Sequence, residues 1–116
     1  MNQPKVVGNE FHIADQVVKF PCDIAEFAEA NDIYVVLLSS SSNLWTHDNV
    51  YGVGKDGSII WKLQDVSKVF PIDNDVPYVG FNIVSSSLIR VINFNGVSLS
   101  VDTSSGRIVG KDVPTK

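Results

Sequence analysis

Few side chains in this 116-residue chain have the type and spacing that chemistry requires. His12 lies between Phe11 and Ile13, and His47 lies in a polar stretch of a different segment. Neither belongs to an H-x-x-x-H or C-x-x-C pattern, and zinc needs three or four ligands in reach, so no metal is expected. Cys22, the one cysteine, follows Phe20 and Pro21. It cannot close an internal disulfide, and beside apolar neighbours it reads as an inert buried thiol. An enzyme acting on a small molecule would need the fold to bring Cys22, His12 and His47 together. Asp73-Asn74-Asp75 begins like a calcium loop but lacks the glycine and terminal glutamate that complete one, so it reads as a solvated turn. The serines at 39–42 and 85–87 occupy no G-x-S-x-G elbow. Gly52-Val53-Gly54-Lys55 has neither the spacing nor the following helix of a phosphate cradle. No catalytic residue, cofactor or metal is therefore expected. What survives is a recognition patch of Trp45, His47 and Asp48 in a long loop, with Tyr51 just beyond, combining the aromatic and hydrogen-bonding groups enriched at interfaces. The alternative is that Trp45 folds back to cap the core.

Such a patch must be carried by strands. Val and Ile dominate the apolar set, and their β-branched side chains favour a pleated, half-buried surface over a helix. Short strands are expected at 10–14 and 16–20, then a fully apolar central strand, Ile33 to Leu38, whose two faces must both be covered. Strands at 50–53 and 59–63 flank Asp56-Gly57, the strongest turn signal in the chain, with Ile59, Trp61 and Leu63 on one face. A mostly surface connection leads to a meander at 78–84, 88–94, 97–101 and 107–109, in which the facing of Arg90 is open. The segment 23–30, with Ala25, Ala28, Ala30 and a D-x-x-E opening, is the one place a short helix is expected. The fold class is all-β: one domain with an antiparallel meander of eight or nine strands, forming a rolled sheet, a small sandwich or two blade-like units.

Nine Lys and Arg against 13 Asp and Glu give a net charge of −4. With only Arg90 and Arg107 as arginines, the chain lacks the basic footprint of a nucleic-acid binder, and none is expected as a partner. The longest apolar run is about six residues where a bilayer needs about 20, so no membrane association is expected either. The opening Met1-Asn2-Gln3-Pro4 is not followed by a leader-like apolar run, and the expected location is cytoplasmic.

Residues 50–62 and 97–111 repeat one pattern: strand, glycine turn, strand, basic residue. Both resemble the outer half of a blade of the quinoprotein-type (PQQ-like) β-propeller repeat. Asp56-Gly57-Ser58-Ile59-Ile60-Trp61 matches its Gly-to-Trp spacing, whereas Asp102 and Gly106-Arg107-Ile108-Val109 match its turn but put Gly110 where the Trp would stand. The resemblance covers about half the chain and implies blade-like units at about 33–65 and 78–111. Nothing about quinone binding follows from it, and a closed ring needs at least four blades. The chain is also similar to small uncharacterised bacterial proteins carrying an NVYG-x-x-KDG-x-I-x-W stretch, which implies no activity. The expected function is a non-enzymatic protein-binding module, an accessory or immunity-type protein. The alternatives are a self-assembling blade protein and, last, the small-molecule enzyme.

Overall fold

Six consecutive apolar residues leave neither face of a strand fit for water, and the architecture is organised around that requirement at Ile33 to Leu38. The structure, a computed structural model, describes residues 3–39, 49–64 and 76–112. They form eleven strands and no helix: β1 (Lys5–Val7), β2 (Glu10–Ile13), β3 (Gln16–Lys19), β4 (Ile24–Ala30), β5 (Ile33–Leu38), β6 (Val50–Gly54), β7 (Ile59–Lys62), β8 (Tyr78–Ser85), β9 (Leu88–Asn93), β10 (Ser98–Asp102) and β11 (Ile108–Asp112). The strands make three antiparallel sheets, β1-β2-β3, β4-β5-β6-β7 and β8-β9-β10-β11, each a meander in chain order.

All six residues of β5 are buried. Ile33, Val35 and Leu37 face the third sheet, in a core with Trp61, Tyr78, Ile89, Val91 and Leu99. Tyr34, Val36 and Leu38 face the first sheet, in a second core with Phe11, Ile13, Val18 and Phe20. The second sheet is thus the filling between two others. Fully burying a Val, Leu or Ile is worth about 1.5–3 kcal/mol, so both covers are needed to use this strand's full contribution.

Two strands exceed the expected eight or nine, and both have a physical reason. Residues 24–30, expected as the short helix, form β4, which pairs with β5 from Ile24↔Leu38 to Ala30↔Ile33. A two-turn helix is marginal by itself. The buried edge of β5 needs backbone partners, and supplying them outweighs local helix propensity. β1 has only three residues, too few for periodicity to show. The face of Ile59 also differs from expectation. A bulge between Gly52 and Val53 sets Ile59 opposite Val53, so it leaves the face of Trp61 and is half exposed. Arg90 is exposed between buried Ile89 and Val91, which assigns it to the outward face of the third sheet.

The second and third sheets are joined by polar contacts at both ends. The Trp61 indole lies against Gly52 and Gly106, where an added Cβ would overlap the ring, and its Nε1 donates to the Thr103 carbonyl at 2.8 Å. Gly106 also has φ +73°, which an L side chain adopts only with strain. Beside it, Gln64 Oε1 accepts from Ile108 N at 2.9 Å, and Gln64 N donates to the Gly106 carbonyl. At the other end Asn49 is fully buried and bridges both sheets. Its Nδ2 donates to the Leu38 and Tyr78 carbonyls, and its Oδ1 accepts from Tyr78 N at 3.0 Å.

Asp56 and Asp102 close equivalent turns of the two four-stranded sheets. Each carboxylate accepts from the backbone N–H and hydroxyl of the serine two residues on, Ser58 and Ser104. Those bonds favour the charged form and hold both carboxyls below the ordinary aspartate value. Lys55 pairs with Glu29 and sits 4.9 Å over the Tyr34 ring. The hydrogen bond to Glu29 raises its pKa above the lysine norm.

Two expectations follow from these contacts. Trp61→Phe should destabilise the protein by about 1–3 kcal/mol, because the buried Thr103 carbonyl loses its donor. Asn49→Ala, which strips partners from three backbone groups, should cost more, about 2–4 kcal/mol. Urea unfolding followed by far-UV circular dichroism measures both, and equal stability of Asn49→Ala and wild type would refute the bridging role. The aspartate pKa values are lowered on folding, so their stabilisation is complete above the unfolded value of about 4 and is lost as pH falls through the folded values. The urea midpoint should drop as pH falls below about 4, and drop less in an Asp56→Asn/Asp102→Asn double variant.

Candidate interaction site

The outward face of the first sheet mixes aliphatic and charged groups. Register builds it as two rows, Lys5, His12 and Val17 in one, and Val7, Glu10 and Lys19 in the other. Alternation explains the arrangement: Val6, Phe11 and Val18 point into the second core, so their neighbours must point out. Val7 and Val17 are each 49% exposed and supply aliphatic surface. Around them His12 Nε2 lies 2.9 Å from Glu10 Oε1, and Lys19 Nζ lies 3.8 Å from Glu10 Oε2. These pairs are solvated, so they orient side chains more than they stabilise the fold.

The β2–β3 turn shapes one end of this face. Ala14 and Asp15 both have positive φ, at 51° and 63°, as a two-residue hairpin turn requires. An open groove of about 450 Å³ runs beside it, lined by Gln3, Lys5, His12 and residues 13–17. The turn is braced from the second sheet, where Gly57 at φ +89° approaches Gln16 so closely that a Cβ would lie 2.6 Å from the Gln16 Cβ.

Of the residues that the sequence singles out, Trp45, His47 and Asp48 lie outside the described residues, as do Asp73, Asn74 and Asp75. Tyr51 is half buried on β6, with its ring 4.9 Å from that of Phe20, and packs against the second core. Cys22 packs against that same core while His12 stands on the outward face of the sheet. Among the described residues no three His, Cys, Asp or Glu side chains gather as a group that could hold a metal ion. No helix in them is long and apolar enough to cross a membrane. Glu10 and Lys19 escaped the sequence reading although the signal was present: Glu10-Phe11-His12-Ile13 alternates polar and apolar, placing Glu10 beside His12.

Comparison with solved structures supports the blade resemblance at the level of fold. The crystal structure of BamB from Moraxella catarrhalis, a PQQ-like β-propeller protein, matches 94% of this chain with a TM-score of 0.62 at 12% sequence identity. The chain spans 33% of that BamB chain, so the three sheets correspond to a part of its fold. No curated protein matches the sequence. The matching family model covers residues 1–113 and is described as a domain of unknown function, DUF7957; the chain belongs to that family.

Proposed function

We propose that this protein is a small non-enzymatic binding module that presents the outward face of β1–β3 to a protein partner. The observation that carries this reading is the mixed outward face of the sheet, where half-exposed Val7 and Val17 stand at opposite corners, Lys5 and Lys19 at the other two, and the paired Glu10 and His12 at the centre. Aliphatic groups at the corners can lose water on contact while the central charges set orientation. The other face of the same sheet is locked into the second core through Phe11, Val18 and Phe20, so the outward groups are held on a rigid support. A preorganised surface loses less conformational entropy on association. The net charge of −4 acts on long-range approach, whereas the face itself, with Lys5 and Lys19 against Glu10, suits neutral or acidic groups at contact; both fit an accessory or immunity-type role in which this chain neutralises another protein. The BamB-like scaffold accommodates this reading, since a stack of sheets offers broad faces.

The test compares wild type with a Val7→Asp/Val17→Asp double variant, each immobilised and exposed at low salt to lysate of the source organism. Both valines are half exposed, so the variant should keep its circular dichroism spectrum and melting midpoint. A stoichiometric partner retained by wild type and lost at least tenfold by the variant is the expected result, about 1.4 kcal/mol or more of binding free energy. Equal retention by both, or none by either, would refute the assignment of this face.

A further inference from the structure

Corresponding rows of the two four-stranded sheets differ in a way that bears on how the stack could extend. In the second sheet the row Ala28, Val35, Gly52 and Trp61 runs across β4 to β7 and docks onto the third sheet. Trp61 follows Gly57 by four residues, as Gly110 follows Gly106. The matching row of the third sheet is Asn82, Arg90, Ser100 and Gly110. An arginine stands in place of Val35, a serine in place of Gly52, and no indole in place of Trp61. A further sheet laid on this face would bury Arg90 and Asn82 without an aromatic anchor. The third sheet therefore carries the polar outer face of a capping unit.

Edges are the other route to association, and among the described residues five of the six are guarded. Lys5 stands on β1, Lys19 on β3, Glu26 and Glu29 on β4, Lys62 on β7 and Lys111 on β11. Charges on an edge deter pairing with another chain. β8, Tyr-Val-Gly-Phe-Asn-Ile-Val-Ser, is the longest strand and has no charged residue. Among the described residues it pairs only with β9. Val79 and Val84 are each 50% exposed and Ile83 is 40% exposed. Register shifts beside Val79 and Val84 delimit a regular stretch from Gly80 to Ile83. In a closed propeller such edges are short and protected by the ring.

We infer that β8 pairs antiparallel with β8 of a second copy of this chain, joining two third sheets into one of eight strands. The occupant follows from charge. Any other edge of a second copy would bring a lysine or glutamate against the exposed Val79, Ile83 and Val84, whereas β8 meets its own uncharged sequence. A twofold pairing of this kind is closed, so it ends at a dimer, and the polar face of the third sheet gives no route to a longer stack. This surface is separate from β1–β3, and either assignment stands or falls without the other.

The test is light scattering coupled to size exclusion over a concentration series, with hydrogen exchange at the β8 amides on the same samples. Wild type should rise from 12.7 kDa to twice that mass, with β8 exchange slowing as mass rises. Gly80→Lys is the cleanest disruption, because a Cβ there meets nothing within 4 Å, and it puts a charge on the regular stretch. It should weaken dimerisation at least tenfold and leave the melting midpoint of the dilute protein unchanged. Val84→Lys provides a second variant with the same expectation. A wild type that stays monomeric up to its solubility limit overturns the inference, as does β8 exchange independent of concentration. A dimer that persists in both folded variants also overturns it, by assigning the contact elsewhere.

Discussion

The constraint on which the rest of this structure depends is the burial of β5 on both faces. A strand of six apolar residues needs a cover on each side and a hydrogen-bonded neighbour along each edge. The first and third sheets are the covers, and β4 and β6 are the neighbours. The requirement is strong enough to override local preference: it draws residues 24–30, with their helix-like alanines and cap pattern, into an extended edge strand. Each sheet alone would expose an apolar face, so the three sheets stabilise one another as repeat units do.

Stacking alone leaves sheets free to slide, and the polar joints remove that freedom. Trp61 reaches from β7 to the Thr103 carbonyl, while Gly52 and Gly106 give the indole room to lie flat. Asn49 performs the complementary task at the other end, pairing with backbone groups of Leu38 and Tyr78. A buried amide with its groups satisfied by two sheets has one geometry in which nothing is lost. Apolar packing therefore supplies most of the driving force, and these directional contacts select the relative position of the sheets.

The same stacking logic bears on function. Interior positions of the described residues are committed to β5 and its covers, which leaves outward faces and edges to meet solvent or other molecules. The outward face of β1–β3 offers aliphatic groups in a charged setting, and the edge of β8 offers backbone groups without a guarding charge. The outward face of β8–β11 offers Asn82, Arg90 and Ser100, which suit water better than another sheet.

Much of the fold was legible in order of residues. The apolar run at 33–38, the Asp56-Gly57 turn, the alternation at 97–101 and the spacing from Gly57 to Trp61 all report local physics, namely period-two burial and the backbone freedom of glycine. They determined the all-β class, the central strand and the blade-like hairpins. The candidate surface was less legible: Glu10 is placed beside His12 by alternation along β2, but Lys5 and Val17 become neighbours of His12 only across strand pairs. Tertiary structure alone decided that 24–30 extends, that Ile59 turns away from Trp61 at a bulge, that Asn49 bridges two sheets, and that Tyr51 packs on Phe20. The physical reason is the same in each case. These outcomes depend on which groups lose water or a hydrogen-bond partner when distant segments meet, and a local window of sequence contains only one side of that contact.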